Sequence, residues 1–335
     1  MTTPGVPRRP DIRASRLRPV PRDACSAEWD VGRLPVWGTA ARARFWLALE
    51  QPGPWGHQAF ASSYLDPELG TAIESAVAQA GGRALLIRRP GRSGDARVRR
   101  PRQVFVAAGA GAGRPTLLAG RVEDPRDLLD VPWRAMADGA SPAPLESRLG
   151  LLPHPASVLL LCTNAKRDMC CALRGIPLAA TLAARHGERV WECSHTGGHR
   201  FAPTGVLLPT GATLGRLDAA IGEAALAAPA QDLAPELLDP QALRGLAHLS
   251  PLDQAVDAWA RIRWDITDLR PIRVRWDPAP DGASPDSPDA RVAEVESGSR
   301  TARVAVTEQL DATARRASCG RDPGPATSLQ VTELP

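Results

Sequence analysis

Apolar positions fall in short runs broken by polar, proline-rich or glycine-rich punctuation, and the runs predict a repeated order of elements. Arg44–Glu50 (RFWLALE) reads as a strand, followed by a turn at Pro52-Gly53-Pro54-Trp55-Gly56. Asp66 is placed to cap a helix with Pro67 at its first position; Leu69, Ile73 and Val77 share one face of it, and Gly81-Gly82 stops it. Ala84–Ile87, Val104–Ala107 and Thr116–Val122 read as strands, and Asp124–Trp133 as a closing helix. The second half begins again with a buried strand at Ser157–Leu161 (SVLLL) and a loop from Cys162 to Cys171. A helix follows from about Ala172, with Leu178 and Leu182 inward and Gly187 at its end. Val190–Glu192 is the next strand, Thr204–Leu208 and Thr213–Leu217 form a hairpin around Pro209-Thr210-Gly211, and Asp218 caps a helix to about Leu226.

Both halves therefore read β-α-β-β-β-α, with the crossover that a mixed sheet requires. That is the order of a thioredoxin-like fold. The chain is expected to be an α/β protein with two such units in tandem, plus a small C-terminal helix and β extension. The expected divisions are a flexible basic tail over 1–22, a degenerate unit without metal ligands over 23–150, a ligand-bearing unit over 151–235, and the extension over 236–335. The extension opens with Ser250 as cap, Pro251 next and Asp253 facing back, and Leu252, Val256, Trp259 and Ile262 line one helix face. Strands are expected at Ile272–Trp276, Arg291–Val295 and Arg300–Thr307, with Ser297-Gly298 as a turn. A Pro/Asp/Ser linker spans 277–289 (DPAPDGASPDSPD).

Composition narrows the function classes. The chain has 335 residues, 43% of them hydrophobic, with a net charge of +4 that does not by itself argue for nucleic acid. No apolar run approaches the roughly 18 residues of a membrane span, and the N-terminus lacks the apolar core of a secretory signal. A cytoplasmic protein with no membrane or nucleic-acid partner is expected. Lys166 is the one lysine. There are six cysteines, and four of them fall between Cys162 and Cys193, so in that compartment they read as ligands or redox thiols rather than disulfides.

The chemistry concentrates in CTNAKRDMCC, followed after 23 residues by HTGGH. Cys162 stands where a core strand meets a loop, with Cys170 and Cys171 at the loop's far end. His195 and His199 are four apart, a spacing that on a helical turn puts both rings on one face, and Gly197-Gly198 between them lets backbone approach a bulky centre. Two thiolates and two imidazoles suit zinc or a [2Fe–2S] cluster. In a cluster, two cysteines on one iron and two histidines on the other give Rieske-like ligation and a raised reduction potential. A ring nitrogen near water would couple electron uptake to proton uptake. Arg167, Arg174 and Arg200 lie close in sequence and would raise the potential further or steer an acidic partner.

The segments CTNAKRDMCC, RGIPLA and VWECSHTGGHRFAPTGVLLPTGATLGRLD resemble the sucrase/ferredoxin-like family, which includes thioredoxin-like ferredoxins with a bis-histidine [2Fe–2S] centre. GTAARARFWLALEQPGPWG and the terminal ASCGRDP resemble bacterial members, so the likeness runs from about Cys25 to Val331. It implies a [2Fe–2S] cofactor held by Cys162, Cys171, His195 and His199, with Cys170 as the substitute for Cys171. It also implies an electron-transfer role but supplies no partner; a one-electron carrier with an unknown reductase or acceptor protein is expected, rather than an enzyme with a substrate of its own. No carboxylate pair supports glycoside chemistry.

Two rival readings fit the same residues: a non-redox zinc module acting as a binding scaffold, and a thioredoxin-type thiol oxidoreductase, which lacks a C-x-x-C at the first βα junction. Cys25, Cys193 and Cys319 read as structural, and His57, His154, His186 and His248 as surface or loop residues. GAGAG at Gly109–Gly113 lacks the Lys-Ser/Thr of a phosphate loop and reads as a hairpin loop. The arginine run Arg97–Arg102 reads as a solvated hairpin, and the Trp55 turn as a packed turn or, alternatively, a redox docking surface.

Overall fold

Two five-residue strands, β1 (Trp46–Glu50) and β6 (Val158–Cys162), are buried along their whole length. Such unbroken apolar runs suit the centre of a sheet covered on both faces. The structure is a computed structural model describing residues 20–91, 101–137, 143–278 and 291–335. Of the sequence expectations, residues 1–19 of the basic tail, residues 97–100 of the arginine run and residues 279–289 of the Pro/Asp/Ser linker lie outside the described residues.

Around β1 stand α2 (Pro67–Gln79), β2 (Arg83–Arg88), β3 (Arg102–Ala108) and β4 (Thr116–Val122). Around β6 stand α5 (Met169–His186), β7 (Val190–Cys193), β8 (Gly205–Leu208), β9 (Ala212–Leu214) and α6 (Ala219–Ala227). The pairing repeats between the halves: β1 runs parallel to β2 and antiparallel to β3, as β6 runs parallel to β7 and antiparallel to β8. The short strands β5 (Leu152–Pro153) and β10 (Leu243–Leu246) close the two outer edges, giving one ten-stranded sheet in the order β10-β9-β8-β6-β7-β2-β1-β3-β4-β5. The halves meet where β2 pairs antiparallel with β7, Ile87 opposite Cys193 and Arg88 opposite Glu192.

Capping follows the expected residues. Asp66 accepts from the Leu69 N–H at 2.9 Å, Asp218 from the Ile221 N–H at 2.9 Å, and Ser250 from the Asp253 N–H at 3.2 Å. The last of these opens α7 (Pro251–Trp264), which packs Leu252, Val256 and Ala260 against Ala293, Val295, Val304 and Val306. Those valines belong to a second, antiparallel sheet of β11 (Arg273–Trp276), β12 (Arg291–Ser297), β13 (Arg300–Leu310) and β14 (Thr327–Glu333).

Several expectations need correction. The closing helix at Asp124–Trp133 is a 3₁₀ turn over Pro125–Asp130, then α3 (Trp133–Ala137) and α4 (Ala143–Leu149), because Pro132 cannot continue the first turn's hydrogen bonding. The hairpin's second strand is Ala212–Leu214 rather than Thr213–Leu217. Helix α5 starts at Met169, since Asp168 caps it by accepting from the Cys170 N–H at 2.9 Å. Helix α1 (Cys25–Gly32), β5, β10 and β14 lacked a periodic signal that stood out from the surrounding polar sequence. GAGAG is the β3–β4 hairpin loop, with positive φ at Gly109 and Gly113.

Candidate metal centre

Strand β6 ends on Cys162, and the first turn of α5 carries Cys171; both side chains are wholly buried. Helix and strand approach this closely because residue 175 has no side chain: a Cβ there would lie 2.3 Å from the Cys162 carbonyl oxygen. Cys171 thus reaches the site from a helix, not from the loop the sequence suggested. The third segment leaves β7 at Cys193 and runs through His195 to His199. This segment is not helical. Gly197 and Gly198 sit at φ +86° and +71°, the left-handed region that favours glycine, and a 3₁₀ turn begins only at His199. The two imidazoles nevertheless face one another with ring centres 5.3 Å apart.

Donor atoms of Cys162, Cys171 and His195 all lie within 4.8 Å of one another, with Cys162 Sγ 3.9 Å from His195 Nδ1. His199 stands outside that triad, alongside the His195 ring. Its Nδ1 is buried with no hydrogen-bond partner, while Nε2 faces Asp168 Oδ2 at 3.7 Å. A buried imidazole nitrogen left unpaired is costly, and a metal on Nδ1 would satisfy it. By this test the residues present fit a metal centre.

The electrostatics favour a thiolate at Cys162. The Cys171 S–H donates to it, His195 and the Thr196 N–H add to that, and together they hold its pKa well below the usual thiol value against the opposing effect of burial. The same hydrogen bond, with burial, raises Cys171. For His199, burial lowers the pKa and Asp168 only partly offsets it, which favours the neutral, ligating ring.

Two arginines that the sequence reading missed line the site. Arg244, wholly buried, donates to the Gly197 carbonyl at 2.8 Å and to Thr39 Oγ1 at 3.0 Å, and burial lowers its pKa to about 9. Arg83 donates to the His195 carbonyl at 3.4 Å. Both come from strands remote in sequence, so no local motif marks them. Of the three arginines named from sequence, Arg200 bears on the site, its charge helping to lower the His199 pKa, and each has other partners as well. Arg174 pairs with Asp30 at 2.5 Å, Arg167 contacts the His57 ring at 2.9 Å, and Arg200 stacks on Phe201 and Trp29 at 4.5 and 5.0 Å.

Cys170 points away from Cys162 and His195. Its sulfur lies 3.6 Å from Cys25 and 3.3 Å from Cys319, beside Asp168. The Cys25 S–H lowers the Cys170 thiol to about 6, and Cys25 is raised by the same contact. Cys193 is buried at the end of β7, outside both groups. Trp55 is packed under the Arg88 guanidinium at 4.3 Å, and its turn meets the ligand loop where the Asn164 amide donates to the Gly56 carbonyl at 3.1 Å.

An α/β sheet protein with a donor set of buried cysteines and partly exposed histidines able to hold a metal is the class these features define. The sequence profile of the sucrase/ferredoxin-like family matches residues 36–228, and the chain belongs to that family. The matched segment contains all four proposed ligands; it is narrower than the Cys25–Val331 likeness read from sequence and excludes Cys25 and Cys319. No curated protein and no solved structure matches the chain. No helix among the described residues is long and apolar enough to cross a membrane.

Proposed function

We propose that the chain is a one-electron carrier whose [2Fe–2S] cluster is held by Cys162 and Cys171 on one iron and by His195 and His199 on the other. The observation that carries this reading is the convergence of Cys162, Cys171 and His195 within 4.8 Å beside the unpaired, buried Nδ1 of His199. Such a cluster supplies reversible one-electron transfer. The surrounding residues suit that role. Half-buried Arg83 and buried Arg244 set positive charge against the thiolates. Asp168 faces His199 Nε2, where a proton on that nitrogen would be oriented with Nδ1 left to ligate. A separate reductase or acceptor protein is the proposed partner.

Iron and acid-labile sulfide analysis of anaerobically purified protein, with visible absorption and EPR of the reduced form, tests the proposal. Two irons and two sulfides per chain are expected. A colourless protein without iron, after expression in iron-replete medium, ends it. The same crowding favours a second reading: three donor atoms within 4.8 Å also suit one tetrahedral zinc. Zinc bound without sulfide, and lost in Cys162→Ser, would establish that alternative. The thiol oxidoreductase reading is weaker, since Cys162 and Cys171 are wholly buried and offer no route for a disulfide substrate.

A further inference from the structure

Three cysteines from distant parts of the chain meet at a second point. Cys25 opens α1, Cys170 lies in the first turn of α5, and Cys319 lies in the loop between β13 and β14. Their sulfurs form a triangle with edges of 3.6, 3.3 and 3.6 Å. Three thiolates bonded to one tetrahedral ion at about 2.3 Å stand roughly 3.8 Å apart, so the triangle has nearly the size of one face of such a site. Thiolates on different irons of a cluster would have to be spread farther apart.

A fourth donor is in place. Both Asp168 carboxylate oxygens lie 3.8 Å from Cys25 Sγ, and the carboxylate belongs to the same group of atoms within 4.8 Å of one another. The Asp168 side chain has no solvent exposure. Three donors orient it: the N–H groups of Cys170 and Cys319 and the Ser318 hydroxyl, each at 2.9 Å. Ala24, Ala202 and Val20 pack around these cysteines, yet an apolar cluster alone would not enclose the Asp168 carboxylate, because burying a carboxylate is expensive unless it is paired. A divalent cation between the carboxylate and the sulfurs supplies that pairing, and soft thiolate donors select zinc.

We propose that Cys25, Cys170, Cys319 and Asp168 form a structural zinc site, separate from the centre at Cys162 and Cys171. Its role is to clamp α1 and the C-terminal loop onto the start of α5, one residue before Cys171. Metal binding at such a site contributes directly to folding stability.

The full-length chain carrying Cys162→Ser and Cys171→Ser removes the first centre and isolates the second. After purification under reducing conditions, chelator stripping and reloading with Zn²⁺, it is expected to hold one zinc per chain. Co²⁺ in place of zinc is expected to give strong sulfur-to-metal absorption and a tetrahedral visible spectrum. Adding Cys319→Ser should weaken zinc affinity at least tenfold and remove the sulfur-to-cobalt bands. No zinc in the double variant, zinc held equally well by the triple variant, or a Cys170–Cys319 disulfide in the reduced preparation overturns the site. Should the double variant not fold, Cys319→Ser alone is made in the otherwise unaltered chain. Loss of one zinc equivalent with the other centre's metal retained supports the proposal, and unchanged zinc content overturns it.

Discussion

At the scale of single residues, the site depends on groups that leave room or present one nitrogen. Gly198 combines φ +71° with a neighbour that cannot retreat: a Cβ there would lie 2.5 Å from the buried Arg244 guanidinium carbon, whose nitrogens are tied to Gly197 and Thr39. Gly198→Ala is expected to destabilise the protein by about 1–3 kcal/mol from backbone strain, plus a steric contribution. Gly150→Ala, at φ +61° just past the end of α4 with open space around it, adds strain without the clash and should lose less. Chemical denaturation of both variants measures the difference, and equal losses would show that Arg244 does not resist the added methyl group. His199 gives the complementary prediction. In His199→Cys a thiolate replaces a neutral ring, so the cluster should persist with a midpoint lower by on the order of 100 mV. An unchanged midpoint in a redox titration would contradict ligation by His199.

Elements place these residues. Helix α5 brings Cys171 to Cys162 only because Gly175 lets it rest on the end of β6. Replacing Gly175 by alanine sets two effects against each other. Helix propensity favours alanine by up to about 1 kcal/mol, whereas a Cβ at 2.3 Å from a backbone oxygen must push helix and strand apart, at a typical loss of about 1–3 kcal/mol. The clash should prevail. Gly175→Ala is expected to lower stability and the metal content of the Cys162–Cys171 centre together, measured by denaturation and metal analysis on the same sample. A variant as stable as the parent, with full metal content, would show that this contact is not what sets the sulfur separation. The histidine segment works differently: two left-handed glycines, rather than a helical turn, fold the chain back so that residues four apart face each other.

For the whole molecule, the β2–β7 junction matters most, because it joins the two halves of the sheet close to the site. Arg88 crosses it to Glu192 at 2.6 Å; Glu192 is 1% exposed and also accepts from the Thr163 hydroxyl at 3.0 Å. Removing one partner strands the other as a buried charge. Arg88→Met should therefore lose about 3–5 kcal/mol, while Arg88→Met with Glu192→Leu should recover much of it. Because the sheet is continuous, fluorescence and circular dichroism should report one shared unfolding transition in each variant. Separate transitions would show that the halves unfold independently.

Read as a sequence, the chain already contained the order of the main strands and helices around β1 and β6, the caps at Asp66, Asp218 and Ser250, and Cys162, Cys171 and His195, whose donor atoms converge. These are local signals: periodicity, cap chemistry and spacing act within a few residues. What lay beyond the sequence was decided by contacts over long separations. Arg83 and Arg244 enter the site from other strands, and Cys170 turns from its neighbour Cys171 because successive residues on a helix point in different directions. Cys25 and Cys319, read from sequence as unremarkable structural thiols, stand 3.6 Å apart across 294 residues. Only packing brings such groups together, since no short-range pattern encodes a distance between segments that the fold alone makes neighbours.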